Sequence, residues 1–178
     1  MSKVFGLTSS YAPIYEDASR TVVCYNPEQV DENNSTWYEV VFYKVIVNKP
    51  SFQQAKDGII ADINARTDEK ILSGFVWNDN NVWLSSENQF NFKAAYDLAV
   101  HTQGATLPVT FKIGEKDGEP VYDSFEAREE FSDFYTTAGA YINQCLREGW
   151  AEKDAMDFTP YEEILSPKKE SVTEEENA

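Results

Sequence analysis

Two segments in the first quarter of the chain are almost continuously apolar. Thr21–Tyr25 (TVVCY) is a β-branched run that predicts a strand. Thr36–Asn48 (TWYEVVFYKVIVN) is the strongest strand pattern in the protein. It carries Tyr38, Val40, Phe42 and Ile46 on one face and Trp37, Val41, Tyr43, Val45 and Val47 on the other. A strand that is apolar on both faces is either central in a packed sheet or covered by another subunit. Residues 1–20, with Tyr11, Pro13 and Tyr15 spaced through them, predict an extended arm or an edge strand. The turn-forming stretch Asn26–Ser35 predicts a loop.

The period changes to the helical one at Pro50. Phe52, Ala55, Ile59, Ile60 and Ile63 predict an amphipathic helix over Ser51–Ala65, ending near Arg66-Thr67-Asp68. Two hairpin–helix units of similar design follow. In the first, Ile71–Trp77 and Val82–Leu84 flank Asn78–Asn81, which places Trp77 opposite Trp83. Ser86 then caps a helix with Gln89 in a capping-box position, and Gly104 stops it. In the second, Pro108–Ile113 and Pro120–Tyr122 flank Gly114–Gly118. A helix from Ser124 carries Phe131, Phe134, Ala138, Tyr141, Ile142 and Cys145 on one face and stops at Gly149. Trp150–Phe158 predicts a short further helix.

The pattern therefore predicts an α+β fold, with short antiparallel hairpins each followed by an amphipathic helix and preceded by a β-rich N-terminal region. The expected division is a β-rich attachment arm over 1–50, an α+β module over 51–158 and an acidic, disordered tail over 159–178.

Composition narrows the function. The 178 residues carry a formal net charge of −16, which disfavours binding to nucleic-acid phosphates or to anionic membrane surfaces. No run approaches the ~18 apolar residues of a membrane span, and no leader pattern opens the chain. Cys24, Cys145 and His101 are too few and too scattered for a structural zinc site, so no metal or cofactor is expected. Cys145 lies on an apolar helix face and Cys24 within a strand, where both read as reduced core thiols. His101 reads as a residue closing a helix. Glu126, Glu129 and Glu130 fit the first turns of a helix as solvated acids. Asp79-Asn80-Asn81 and Asp117-Gly118 do not complete a calcium loop. Phosphate-loop, dinucleotide, nucleophile-elbow and metalloprotease motifs do not occur, so no catalytic residue is assigned and the chain is not expected to be an enzyme.

Aromatic residues make up 14% of the chain and are its most informative feature. Trp37, Tyr38, Phe42 and Tyr43, with Tyr11, Tyr15, Trp77 and Trp83, are the candidate partner-binding residues, because Trp and Tyr dominate interface hot spots.

The middle of the chain carries a further pattern: Ile63-Asn64, Thr67-Asp68, Ile71, Gly74-Phe75-x-Trp77, then Val82-Trp83-Leu84-Ser85-x-Glu87-Asn88-Gln89-x-Asn91, Pro108-x-Thr110-Phe111-Lys112 and Gly149-Trp150. Over about residues 60–157 this resembles a family of small uncharacterised tailed-bacteriophage proteins associated with tail-fibre and other virion genes. The resemblance implies a structural or interaction protein of the virion, at the head surface, a head fibre or the tail. Such a chain would be assembled in the host cytoplasm, bind other virion proteins through its N-terminal β region and form a homo-oligomer. Two alternatives stand beside it: a non-virion assembly chaperone for phage fibres, and an acidic DNA-mimic inhibitor.

Overall fold

The computed structural model describes residues 2–16, 19–43 and 49–166. They form an α+β fold that separates into two compact units, residues 1–62 with 155–178, and residues 63–154. The expected boundary at 50/51 is replaced by one at 62/63, inside a helix.

The first unit is a four-stranded antiparallel sheet: β1 (Ser2–Leu7), β2 (Ile14–Glu16), β3 (Arg20–Gln29) and β4 (Asn34–Tyr43), in the order β1-β4-β3-β2. The two central strands are those with the strongest β pattern, and Thr21–Tyr25 is buried throughout. Asn26–Ser35, expected as a loop, is mostly strand, with an irregular register between Tyr25 and Glu28. The turn itself is held by Asp31, whose Oδ1 accepts the Asn33 and Asn34 amides at 2.8 Å each. The Asn34 side-chain amide, which donates to Asp31 Oδ2 at 2.9 Å, and those two backbone bonds hold the Asp31 carboxyl below its ordinary pKa. The continuation of β4 expected through Asn48 lies outside the described residues.

Helix α1 (Phe52–Ser73) supplies Ala55 and Ile59 to this unit's interior. Its Gly58 lies where a Cβ would come within 2.7 Å of Phe42 and 2.9 Å of Val40. Glycine there lets the helix backbone approach the strand side chains. The α1 residue Asp62 accepts the Tyr25 hydroxyl at 2.7 Å in a buried pair. α1 does not stop at Ala65. Arg66–Lys70 is polar but contains no Gly or Pro, and it continues helical to Ser73, just before Gly74. Ile71–Ser73, expected as strand, is therefore helix.

The second unit holds two hairpins, β5 (Phe75–Trp77) with β6 (Asn80–Val82) and β7 (Val109–Lys116) with β8 (Glu119–Phe125), and two long helices, α2 (Ser86–His101) and α3 (Arg128–Asp154). Both hairpins turn on two residues in the left-handed region, Asn78-Asp79 and Asp117-Gly118. That geometry suits the strand twist, and Asn, Asp and Gly tolerate it best. The two-residue turn places Trp77 opposite Asn80, not opposite Trp83. The Trp83 amide instead donates to the Ile113 carbonyl at 2.7 Å and joins the two hairpins. Gly114 permits that approach, since a Cβ there would lie 2.5 Å from the Asn81 carbonyl oxygen.

α2 is capped by Ser85, one residue before the expected Ser86. Its Oγ accepts the Asn88 amide at 3.2 Å, and the Gln89 side chain donates to the Leu84 carbonyl at 2.6 Å. Ser85→Ala is expected to cost about 1 kcal/mol by urea denaturation, the usual value of a helix cap. α3 starts at Arg128, not at Ser124, and runs through Gly149 and Trp150 as one helix to Asp154. Gly149 is not a stop. It is buried against the Thr67 side chain, where a Cβ would collide. The polar stretch that resembled the end of α1 makes its ion pairs with this helix, Arg66 with Glu152 at 2.6 Å and Lys70 with Glu148.

The core of this unit is Ile71, Phe75, Val82, Leu84, Phe92, Ala99, Ile113, Phe125, Phe131, Phe134, Ala138 and Cys145. Its centre is a set of tilted and edge-on rings around Phe134, which is fully buried. Edge-to-face rings add about 0.5–1.5 kcal/mol per pair beyond area burial.

Residues 159–165, expected to begin a disordered tail, form α4 (Thr159–Leu165) in the first unit, with Tyr161 buried. Residues 167–178 lie outside the described residues.

Candidate functional site

Pro13 explains how the first unit is closed. It stands opposite Cys24 at the start of β2, and the Cys24 amide donates to its carbonyl at 2.8 Å. The ladder would return a bond from residue 13 to the Cys24 carbonyl, but proline has no N–H to give. The Tyr161 hydroxyl donates to that carbonyl at 2.6 Å in a buried bond, with the Tyr11 hydroxyl at 3.5 Å. A side chain 137 positions along the chain thus completes a strand pair.

Most of the aromatic residues expected at an interface are held inside their own unit. Trp37, Tyr11 and Tyr15 come together on one face of the sheet with Val22, Cys24, Val4 and Val41. Trp37 is only 5% exposed and meets Tyr11 edge-on at 5.8 Å. Trp37 is therefore a core residue, because the short strands β1 and β2 and the segment between them supply its cover. Tyr38 lies on the opposite face, stacked on Tyr25 at 5.5 Å, and Phe42 packs toward Gly58. Tyr43 ends β4, and its side chain lies outside the described residues. Trp77 packs edge-on against Phe134 at 5.4 Å. Of the seven whose side chains are described, Trp83 alone is exposed, at 37%, with the Lys112 Nζ 5.5 Å from its ring centre.

The sheet has a different exposed surface. Among the described residues β1 is an edge strand, paired with β4 alone. Val4 and Gly6 face the Trp37 side, while Phe5 and Leu7 point the other way and are 71% and 57% exposed. Val30, in the β3–β4 turn, is exposed as well, and the turn's Asn34 is the register partner of Leu7. An unpaired strand edge with exposed large apolar residues is a template for another chain. Sequence reasoning passed over Phe5 and Leu7. The signal was there in the alternation of Val4 and Gly6 with Lys3, Phe5 and Leu7.

The interior electrostatics hold the fold. Glu39 is buried and accepts Arg20 at 2.9 Å. Burial, aided by the nearby Glu39 charge, pushes the Cys24 thiol up to about 12. Burial likewise raises Tyr11, Tyr15 and, most strongly, Tyr161 above their ordinary 10.0. Groups raised in the folded state ionise first in the unfolded chain. Their contribution is therefore complete below pH ~9 and is lost as pH rises from about 9 toward 12. The first unit is expected to lose stability over that window, which the denaturation midpoint read by Trp37 fluorescence at successive pH values checks. Cys145 is buried too, and both cysteines are free thiols. Among the described residues no cluster of His, Cys, Asp and Glu is placed to hold a metal, and no helix is long and apolar enough to cross a membrane.

A cavity of about 270 Å³ opens between α2 and α3, with Leu84, Phe92 and Ala138 among its lining and Phe90, Lys93 and Ile142 beside them. Gln89, Lys93 and Tyr135 are the polar side chains of its lining.

Comparison with curated proteins and with solved structures finds no match in either set. The family model described as "Domain of unknown function (DUF4376)" matches residues 54–170, which takes in α1 through α4 and leaves the strands β1–β4 outside. With about two-thirds of its length matched, the chain belongs to the DUF4376 family.

Proposed function

We propose that the protein is a structural, protein-binding component of a tailed-phage particle, attached to other virion proteins through its N-terminal sheet. The observation that carries the attachment is the open edge of β1, with Phe5 and Leu7 exposed on a strand whose other face is sealed into the core. The strands of the sheet lie outside the residues that the family model matches. The phage setting is supported by the resemblance over residues 60–157. In this reading the protein has no catalytic role, and its acidic surface keeps it off the packaged genome.

The contact forms by adding a strand of the partner to β1, with the partner's apolar side chains over Phe5 and Leu7. Main-chain hydrogen bonds supply affinity in such contacts and side-chain pockets supply selectivity. Mass spectrometry of purified particles tests the assignment. Peptides of this chain at a fixed ratio to the capsid or tail proteins are expected. Presence in the infected-cell lysate with absence from mature particles would replace this reading with the assembly chaperone.

A further inference from the structure

α2 carries a second apolar surface, remote in sequence from β1. Its residues Glu87, Phe90, Asn91, Ala94, Leu98 and His101 are all exposed, and their spacing places them in one stripe along the helix. Phe90 is 71% exposed and Leu98 52%. The opposite face of the same helix buries Phe92 and Ala99 in the core, so the outer stripe is not needed for folding.

The order of residues in the stripe is its own complement. Phe90 and Leu98 stand four positions on either side of Ala94, and Glu87 and His101 stand seven positions on either side. We infer that α2 pairs antiparallel with α2 of a second copy of this chain, about a two-fold axis at Ala94. Each Phe90 then meets Leu98 of the other copy, and each Glu87 meets His101, so every contact occurs twice. Ala94 is small enough to let the axes come within the 8–10 Å of packed helices. Glu87 and His101 are the only ionisable residues of the stripe; the His101 Nδ1 lies 2.7 Å from its own Asp97 carbonyl oxygen, which leaves Nε2 as the atom to meet Glu87.

The cavity beside Phe90 fits the same occupant. At about 270 Å³ it is smaller than the ~300–1,000 Å³ of small-molecule sites, and it can take an opposing aliphatic side chain such as Leu98. A helix of 16 residues is about 24 Å long. Pairing along it alone reaches only the lower edge of the ~1,000 Å² that stable interfaces bury, so the association is of moderate strength. The inference does not rest on the particle reading, since the contact lies in the second unit and uses neither Phe5 nor Leu7.

Sedimentation of the full chain over about 1–200 μM tests it, with dissociation expected in the micromolar range. Leu98→Glu, on an exposed position and with an unchanged far-UV spectrum, is expected to weaken association at least about tenfold. Glu87→Lys and His101→Glu are each expected to weaken it several-fold, and the two together to restore it, because both pairs are reversed. Phe5→Ser with Leu7→Ser leaves it unchanged. A wild-type monomer throughout the range overturns the proposal. So does a dimer that survives Leu98→Glu, or a charge reversal that fails to restore what each single change removed.

Discussion

Phe134→Ala is expected to destabilise the second unit by about 3–5 kcal/mol, the usual cost of removing a fully buried phenylalanine. The ring is the hub of the core. Phe92 lies 5.0 Å from it, Phe125 4.9 Å, Trp77 5.4 Å and Phe75 6.1 Å, and these rings come from α2, β8 and the first hairpin. Truncation removes the neighbour of five rings at once, Phe131 at 6.4 Å being the fifth, and their tilted and edge-on contacts hold them in positions that cannot close around the gap without shifting β5 and α2 together. Urea denaturation read by near-UV signal should show a lower midpoint. Phe90→Ala on the outer face of α2 is the control, at about 0.5 kcal/mol or less, because that ring is 71% exposed. Equal effects of the two changes would show that the ring cluster is not the centre of the unit.

Tyr161→Phe is expected to cost about 1–3 kcal/mol, a large effect for the loss of one oxygen atom. The change leaves the ring and its burial intact and removes the donor that stands in for the absent Pro13 N–H. The Cys24 carbonyl would then keep only the Tyr11 hydroxyl at 3.5 Å, beyond good hydrogen-bond geometry. Adding Pro13→Ala restores a ladder donor at the same carbonyl. The double variant should recover part of the loss, and a double-mutant cycle on the four chains measures the coupling. If Tyr161→Phe proved neutral in both backgrounds, the hydroxyl would have no part in completing β2.

How much of this was legible in the sequence depends on whether local pattern or distant packing decides each feature. The strands at Thr21–Tyr25 and Thr36–Tyr43, the amphipathic α2 and the aromatic face of α3 follow from periodicity, and so does the α+β class. The length of α1 does not. Arg66–Lys70 reads as a polar stop, yet its cations find Glu148 and Glu152 on α3, more than 75 positions away. Gly149 reads as a terminator for a related reason, since its absent side chain makes room for Thr67 of α1. The hairpin register turned on whether Asn78–Asn81 makes a four-residue or a two-residue turn, and that choice moved Trp77 from facing Trp83 to covering Phe134.

The burial of the aromatic strand escaped the sequence by the same limit. A strand that is apolar on both faces has two physical readings, and here the sheet's own neighbours cover it. Trp37 is sealed by Tyr11, Tyr15 and Val4 from the segment expected to be an open arm. Among the described residues of the sheet's strands, the large exposed apolar groups are Phe5 and Leu7 on the edge strand itself. Their pattern, two large residues alternating with a small one and a half-buried one over six positions, is too short to stand out from the N-terminal sequence around it.

Counting copies per particle when phage is grown with the wild-type chain and with the Phe5→Ser, Leu7→Ser variant tests the attachment most directly. Both positions are exposed, so the variant is expected to fold, which its unchanged thermal midpoint would verify. The account predicts wild-type chain at a fixed copy number and the variant reduced at least about tenfold, as expected where apolar anchors of a contact are removed. Particles that carry both chains in equal number would contradict it.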